Sequence, residues 1–139
     1  MKDLSSIVEN LIANSENDQT NSFLAYLLLS QVGEYIDDID EIGPVINITL
    51  QNCSHLNPKV RYACFHCIGQ LSEDLGIKFI QNFGATVITF LIVGLEDECI
   101  RVRAHAFSAL ANFIKACLGN GKITRNQEKE IYKNIIFQF

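Results

Sequence analysis

Apolar residues recur along this chain at the 3.6-residue spacing of helices. Between 58 and 75, Val60, Cys64, Cys67, Ile68, Leu71 and Leu75 fall at i, i+4, i+7, i+8, i+11 and i+15, which is one face of a helix. Val102, Ala106, Ala109, Leu110, Phe113 and Cys117 reproduce that stripe further on. Upstream, Leu24, Leu28, Val32, Tyr35 and Ile39 repeat it once more, with Gln31 as the one break. No stretch alternates apolar and polar residues over a useful length, so the chain reads as all-α.

The stripes belong to an internal repeat. Residues 44–71 superpose without gaps on 86–113 at an offset of 42, pairing Val45 with Val87, Val60 with Val102, Arg61 with Arg103 and Phe65 with Phe107. Each copy holds two helical segments and a short polar turn. The upstream copy aligns at an offset of 36, and its partner helix, 4–14, precedes the polar stretch "SENDQTNS". Asn57 and Pro58 have the chemistry of an N-cap and a first helical residue, and Pro44 either starts or kinks its helix. After Cys117 a glycine-marked turn leads to the amphipathic "QEKEIYKNIIFQF". The reading is one unit, 1–139, an α-α superhelix of about three and a half antiparallel helix pairs at 4–38, 39–75, 77–117 and, in part, 124–139. A period near 40 with two helices per repeat is that of HEAT arrays rather than armadillo arrays. Apolar faces around Ile7 and Leu11, and around Ile135, Ile136 and Phe137, predict self-association through the ends of the stack.

At 139 residues and 48% hydrophobic, the chain can bury one sizeable core. Its net charge of −5 gives no footprint for nucleic acid or an anionic membrane, and makes basic partners the natural complement. The longest apolar run, 83–95, is shorter than the ~20 residues that span a bilayer and is expected to be a buried helix. No basic segment followed by an apolar one opens the chain, and five cysteines without a framework suit a reducing compartment. The sequons at Asn47 and Asn52 are then expected to be unused.

Cys53, His55, Cys64, His66 and Cys67 raise the question of a metal site. Cys64 and Cys67 lie on the buried stripe where the next repeat has Ala106 and Ala109. Small apolar side chains suit that position, whereas a zinc site needs Cys-x-x-Cys in a turn. Packing is therefore the expectation, with no metal and no cofactor. No phosphate loop, nucleophile elbow or HExxH is present, so no enzyme is expected. Arg61 and Arg103, just after a turn in each repeat, are expected to hold nearby acids or turn carbonyls. His55 stands where the next repeat has Asp97, which would interrupt a repeated Arg–Asp ladder.

What remains is surface. Opposite the buried stripe, His66, Gln70 and Asp74 form one column at i, i+4 and i+8. Repeat-equivalent columns are Ser30, Glu34 and Asp38 upstream, and Ser108, Asn112 and Ala116 downstream. Such a ladder is either a solvated helix face or a seat for an extended basic peptide, with carboxylates taking Lys or Arg and amides taking peptide groups.

The words "NPKVRYA", "IGQ" and "RAHAFSALANF" at their separation, with "LSQVGE" one repeat earlier, resemble the importin-β (karyopherin-β) family, in particular the central HEAT repeats of its importin-5 branch. The resemblance covers about residues 23–117. It implies part of a much longer nuclear transport receptor that shuttles between cytoplasm and nucleus. It further implies basic cargo held on the concave face, and Ran GTPase and FG nucleoporins as partners of the whole receptor. The cargo ladder it implies comprises Glu34, His66, Gln70, Asp74 and Asn112, with Asp38 beside it. A HEAT scaffold for assembling other proteins is the alternative.

Overall fold

A computed structural model of the chain describes residues 38–119 and, upstream, Ser6, Asn10, Tyr26, Ser30, Gly33 and Ile36. A 3-10 turn, Ile39–Ile42, leads into α1 (Gly43–Asn52) and α2 (Pro58–Leu75), followed by α3 (Ile77–Gly94) and α4 (Ile100–Cys117). No strand occurs among the described residues. Of the expected helix 4–14 only Ser6 and Asn10, both exposed, are described; 124–139 and the apolar residues of both terminal faces lie outside the described residues.

Local chemistry sets the helix starts. Pro44 begins α1 rather than kinking it. Asn57 has extended backbone and its Oδ1 accepts the Lys59 N–H at 2.9 Å, so Pro58 follows as the first helical residue. Before α4, Asp97 Oδ1 accepts the Cys99 N–H at 2.9 Å, and before α2, His55 Nδ1 accepts the Asn57 N–H at 3.0 Å. Histidine thus performs for one turn the role the carboxylate has in the next. Gly76 alone joins α2 to α3, with φ at +59°, a backbone that a side chain would strain.

The second helices of the two pairs, α2 and α4, lie side by side. A Cβ on Gly69 would sit 2.9 Å from the Ala109 Cα, so the helices meet there backbone to backbone. Val60, Cys64, Cys67, Ile68 and Leu71 are fully buried, and Val102, Ala106, Ala109, Leu110 and Phe113 are nearly so. Cys64 and Cys67 are small core residues, as their alanine counterparts imply, and burial pushes both thiols up from their ordinary values. No group of three or more metal-ligating side chains occurs among the described residues.

Two expectations need correction. Cys117 is exposed and Ala116 is buried instead. Fifteen residues beyond Val102, at about 100° each, leave Cys117 about 60° off the stripe. The run 83–95 is not a wholly buried helix. It belongs to the 18-residue α3, which is long and apolar enough to cross a membrane by length and composition alone. Here Phe79, Gly84, Val87, Leu91 and Gly94 face the core while Val93 stands 69% exposed.

The sequon at Asn52 is committed to the fold. Its Nδ2 donates to the Tyr26 hydroxyl at 2.6 Å and to the Ile48 carbonyl at 3.1 Å. In the other sequon Thr49 is fully buried and its Oγ1 donates to the Val45 carbonyl at 2.7 Å.

Candidate functional site

The expected columns survive in part. His66, Gln70 and Asp74 share one half-buried face of α2. Gln70 Nε2 donates to Asp74 Oδ1 at 3.0 Å, and a Cβ on the upstream Gly33 would meet Asp74 Oδ2 at 2.8 Å. Asp74 is therefore held from its own helix and lies against the preceding repeat. No cation lies within ion-pairing distance of it among the described residues.

Asn112 reaches from α4 to α2, where its Nδ2 donates to the Gly69 carbonyl at 3.3 Å. That bond ties the two helices together and leaves the amide oxygen as the group able to accept. Glu34 lies outside the described residues. Asp38 does not stand on a helical column: its backbone is extended (φ −114°, ψ 110°) and its Oδ1 accepts the Asp40 N–H at 3.0 Å, capping the 3-10 turn. Ser30, at the start of that column, is buried. A tight turn explains the difference, since the Ile36 N–H donates to the Gly33 carbonyl at 3.2 Å, and the helical spacing assumed for 30–38 ends there.

A row of rings and one cation extends the face toward the starts of the helices. Tyr62 stacks on His105 with centroids 5.1 Å apart, His105 meets His66 edge-on at 5.7 Å, and the Arg101 guanidinium lies 4.7 Å over the Tyr62 ring. Burial, then His66 and Arg101, lower the pKa of His105 below the ordinary imidazole range. Only His66 of this row was legible as a site residue. Tyr62 lies one turn before it, a signal that could have extended the column, whereas His105 comes from α4 and joins only through packing. The face is thus graded along the helices, from Lys59 and Arg101 through imidazoles and amides to Glu73 and Asp74.

The two arginines divide the structural work. Arg61 Nε donates to Asp97 Oδ2 at 2.8 Å and its Nη2 to Asp97 Oδ1 at 3.0 Å. Its Nη1 donates to the carbonyls of His55 and Leu56 at 2.8 and 3.1 Å. Arg103 Nη1 donates to the carbonyl of Asp97 at 2.7 Å. Acids and turn carbonyls were the expected partners, and Arg61 takes both.

A HEAT-repeat family model matches residues 45–75. Importin subunit beta-3 of Saccharomyces cerevisiae is 35% identical over 95 residues, which is 66% of this chain and 9% of that relative's length. No solved structure gives a match.

Proposed function

We propose, from the likeness of this HEAT-repeat chain to importin subunit beta-3, that its second-helix face binds basic nuclear-localisation segments of cargo for import into the nucleus. The observation that carries the reading is Asp74, a half-buried carboxylate fixed by Gln70 and unpaired with any cation among the described residues. A partly desolvated carboxylate held in place attracts a lysine or guanidinium more strongly than a freely rotating surface acid. His66 and the Asn112 oxygen offer further polar contacts to an extended peptide. Each exposed charge pair contributes about 0.2–1 kcal/mol, so affinity comes from several repeats together and is reversible and salt-sensitive. Binding involves no covalent chemistry. Ran GTPase, FG nucleoporins and movement between cytoplasm and nucleus are the partners and location this reading assigns to the receptor.

The test is a fluorescence anisotropy titration of the chain with a lysine-rich peptide at two salt concentrations. Binding that weakens with salt and in Asp74→Asn supports the proposal. Binding unchanged by that substitution sinks the site. A scaffold for assembling other proteins is the second reading, favoured by the exposed apolar side chains Val93 and Ile100 at the end of α3 and the start of α4.

A further inference from the structure

Arg101 is set apart from the other described arginines. Arg61 draws both neighbouring acids, Asp97 at 2.8 Å and Glu98 at 3.8 Å, and Arg103 is taken up by the carbonyls of the same turn. Arg101 is exposed and pairs with no acid among the described residues, and its guanidinium lies 4.7 Å over the Tyr62 ring. We infer that this guanidinium, with Lys59 beside it, is a subsite for one anionic side chain of a bound peptide, a carboxylate or a phosphoserine. The inference rests on the peptide-binding reading and adds to it a residue of opposite charge and its distance from the basic one.

Three features carry it. The cation is repeated, since Lys59 stands at the position of Arg101 one repeat earlier, at the same offset of 42 that pairs Arg61 with Arg103. Because α2 and α4 lie side by side, the two cations open adjacent helices at one end of the face, and an anion between them relieves their repulsion. The guanidinium is also braced. Tyr62 is stacked on His105, and the cation–π contact with its ring uses none of the five guanidinium N–H donors. A planar fork of donors matches a carboxylate or a phosphate. Lastly, neither His66 nor His105 hydrogen-bonds to a described residue, so each neutral imidazole keeps one N–H to donate.

The place of the anion is specific. From Tyr62 to Asp74 the helix rises about 18 Å, which an extended peptide covers in about five residues. The peptide that fits the whole face therefore has a basic residue at Asp74 and an acidic or phosphorylated one about five residues away. Nearer to Glu73 and Asp74 the same anion is repelled.

The experiment titrates the full chain with three labelled forms of one lysine-rich peptide, carrying serine, glutamate or phosphoserine at that distance from the lysines, on either side of them. In one of the two orders, glutamate and phosphoserine are expected to tighten binding about two- to fivefold over serine, the range of one exposed charge pair. Arg101→Gln is expected to remove that advantage, and Tyr62→Leu to reduce it although the charge remains. Lys115→Gln, an equal loss of charge about 21 Å further along α4, should leave it intact, since screening acts over about 8 Å. The readout is the ratio between forms of the peptide, so a partial loss of fold moves all three alike. Tightening by phosphoserine alone assigns the subsite to phosphate, and tightening by both assigns it to either anion. Equal affinity of the three forms, or an advantage that survives Arg101→Gln, overturns the subsite and leaves the basic-peptide reading standing. Binding of no form overturns that reading and the subsite with it.

Discussion

Arg61 of one helix pair grips Asp97 of the next through two parallel hydrogen bonds, at 2.8 and 3.0 Å. Both side chains are about nine-tenths removed from solvent, at 10% and 12% exposure. Breaking such a pair strands a charge, which is the expensive event, while the intact pair itself contributes less. Asp97→Ala is expected to cost about 3 kcal/mol of unfolding free energy. Arg61→Lys, which keeps the charge but loses the fork, should cost about 1.5 kcal/mol. Urea unfolding followed by circular dichroism measures both, and equal losses would contradict the role given to the fork.

Gly69→Ala tests the close approach of α2 and α4. Its Cβ would lie 2.9 Å from the backbone of Ala109, an atom that cannot rotate away. The helix itself gains from alanine, by up to about 1 kcal/mol. Overpacking is expected to outweigh that gain and leave a net loss of about 1–2 kcal/mol. A more stable variant in thermal unfolding would show that the helices separate freely at this point.

His105 makes stability depend on pH. Its folded pKa is lowered by burial, by His66 and by Arg101, so the unfolded chain takes up its proton first as pH falls. The His105 contribution is therefore complete above the ordinary imidazole pKa near 6.5 and is lost as pH drops through that value toward the lower folded one. His105→Asn should flatten the melting temperature between pH 7.5 and 5 relative to the parent chain. An unchanged profile in the variant would place the pH dependence elsewhere.

Thiol labelling separates packed from accessible cysteines. Cys117 is exposed, whereas Cys53, Cys64 and Cys67 are buried, and burial keeps Cys64 and Cys67 protonated. Iodoacetamide at pH 8 should modify Cys117 in the native chain and reach Cys64 and Cys67 only after denaturant is added. Mass spectrometry of peptides reads this directly, and rapid native labelling of Cys67 would contradict the packing.

The sequence displayed the repeat and its buried stripe because helix periodicity depends on residue spacing alone. Val60 through Leu71 and Val102 through Phe113 could be assigned to the core without coordinates. Asp38 could not be placed, since a tight turn at Gly33 to Ile36 changed the phase before it. The same limit hid the stack of Tyr62 on His105 and the seat of Arg101 over Tyr62. Each joins residues from different helices, and their relation depends on how α2 and α4 lie together. Arg61 was legible as an anchoring residue, but not that its acid sits 36 residues away in the next pair.

The grip of Arg61 on Asp97 also sets how the array comes apart. A stack whose units touch only their neighbours behaves as a one-dimensional chain of coupled elements, with stability divided between each unit and each junction. At this junction the apolar packing of α2 on α4 is joined by one guanidinium whose counter-charge lies in the downstream pair. Losing the downstream pair removes the counter-charge from inside the upstream one, so a boundary between folded and unfolded repeats is costly here, and α1 through α4 should melt in a single step.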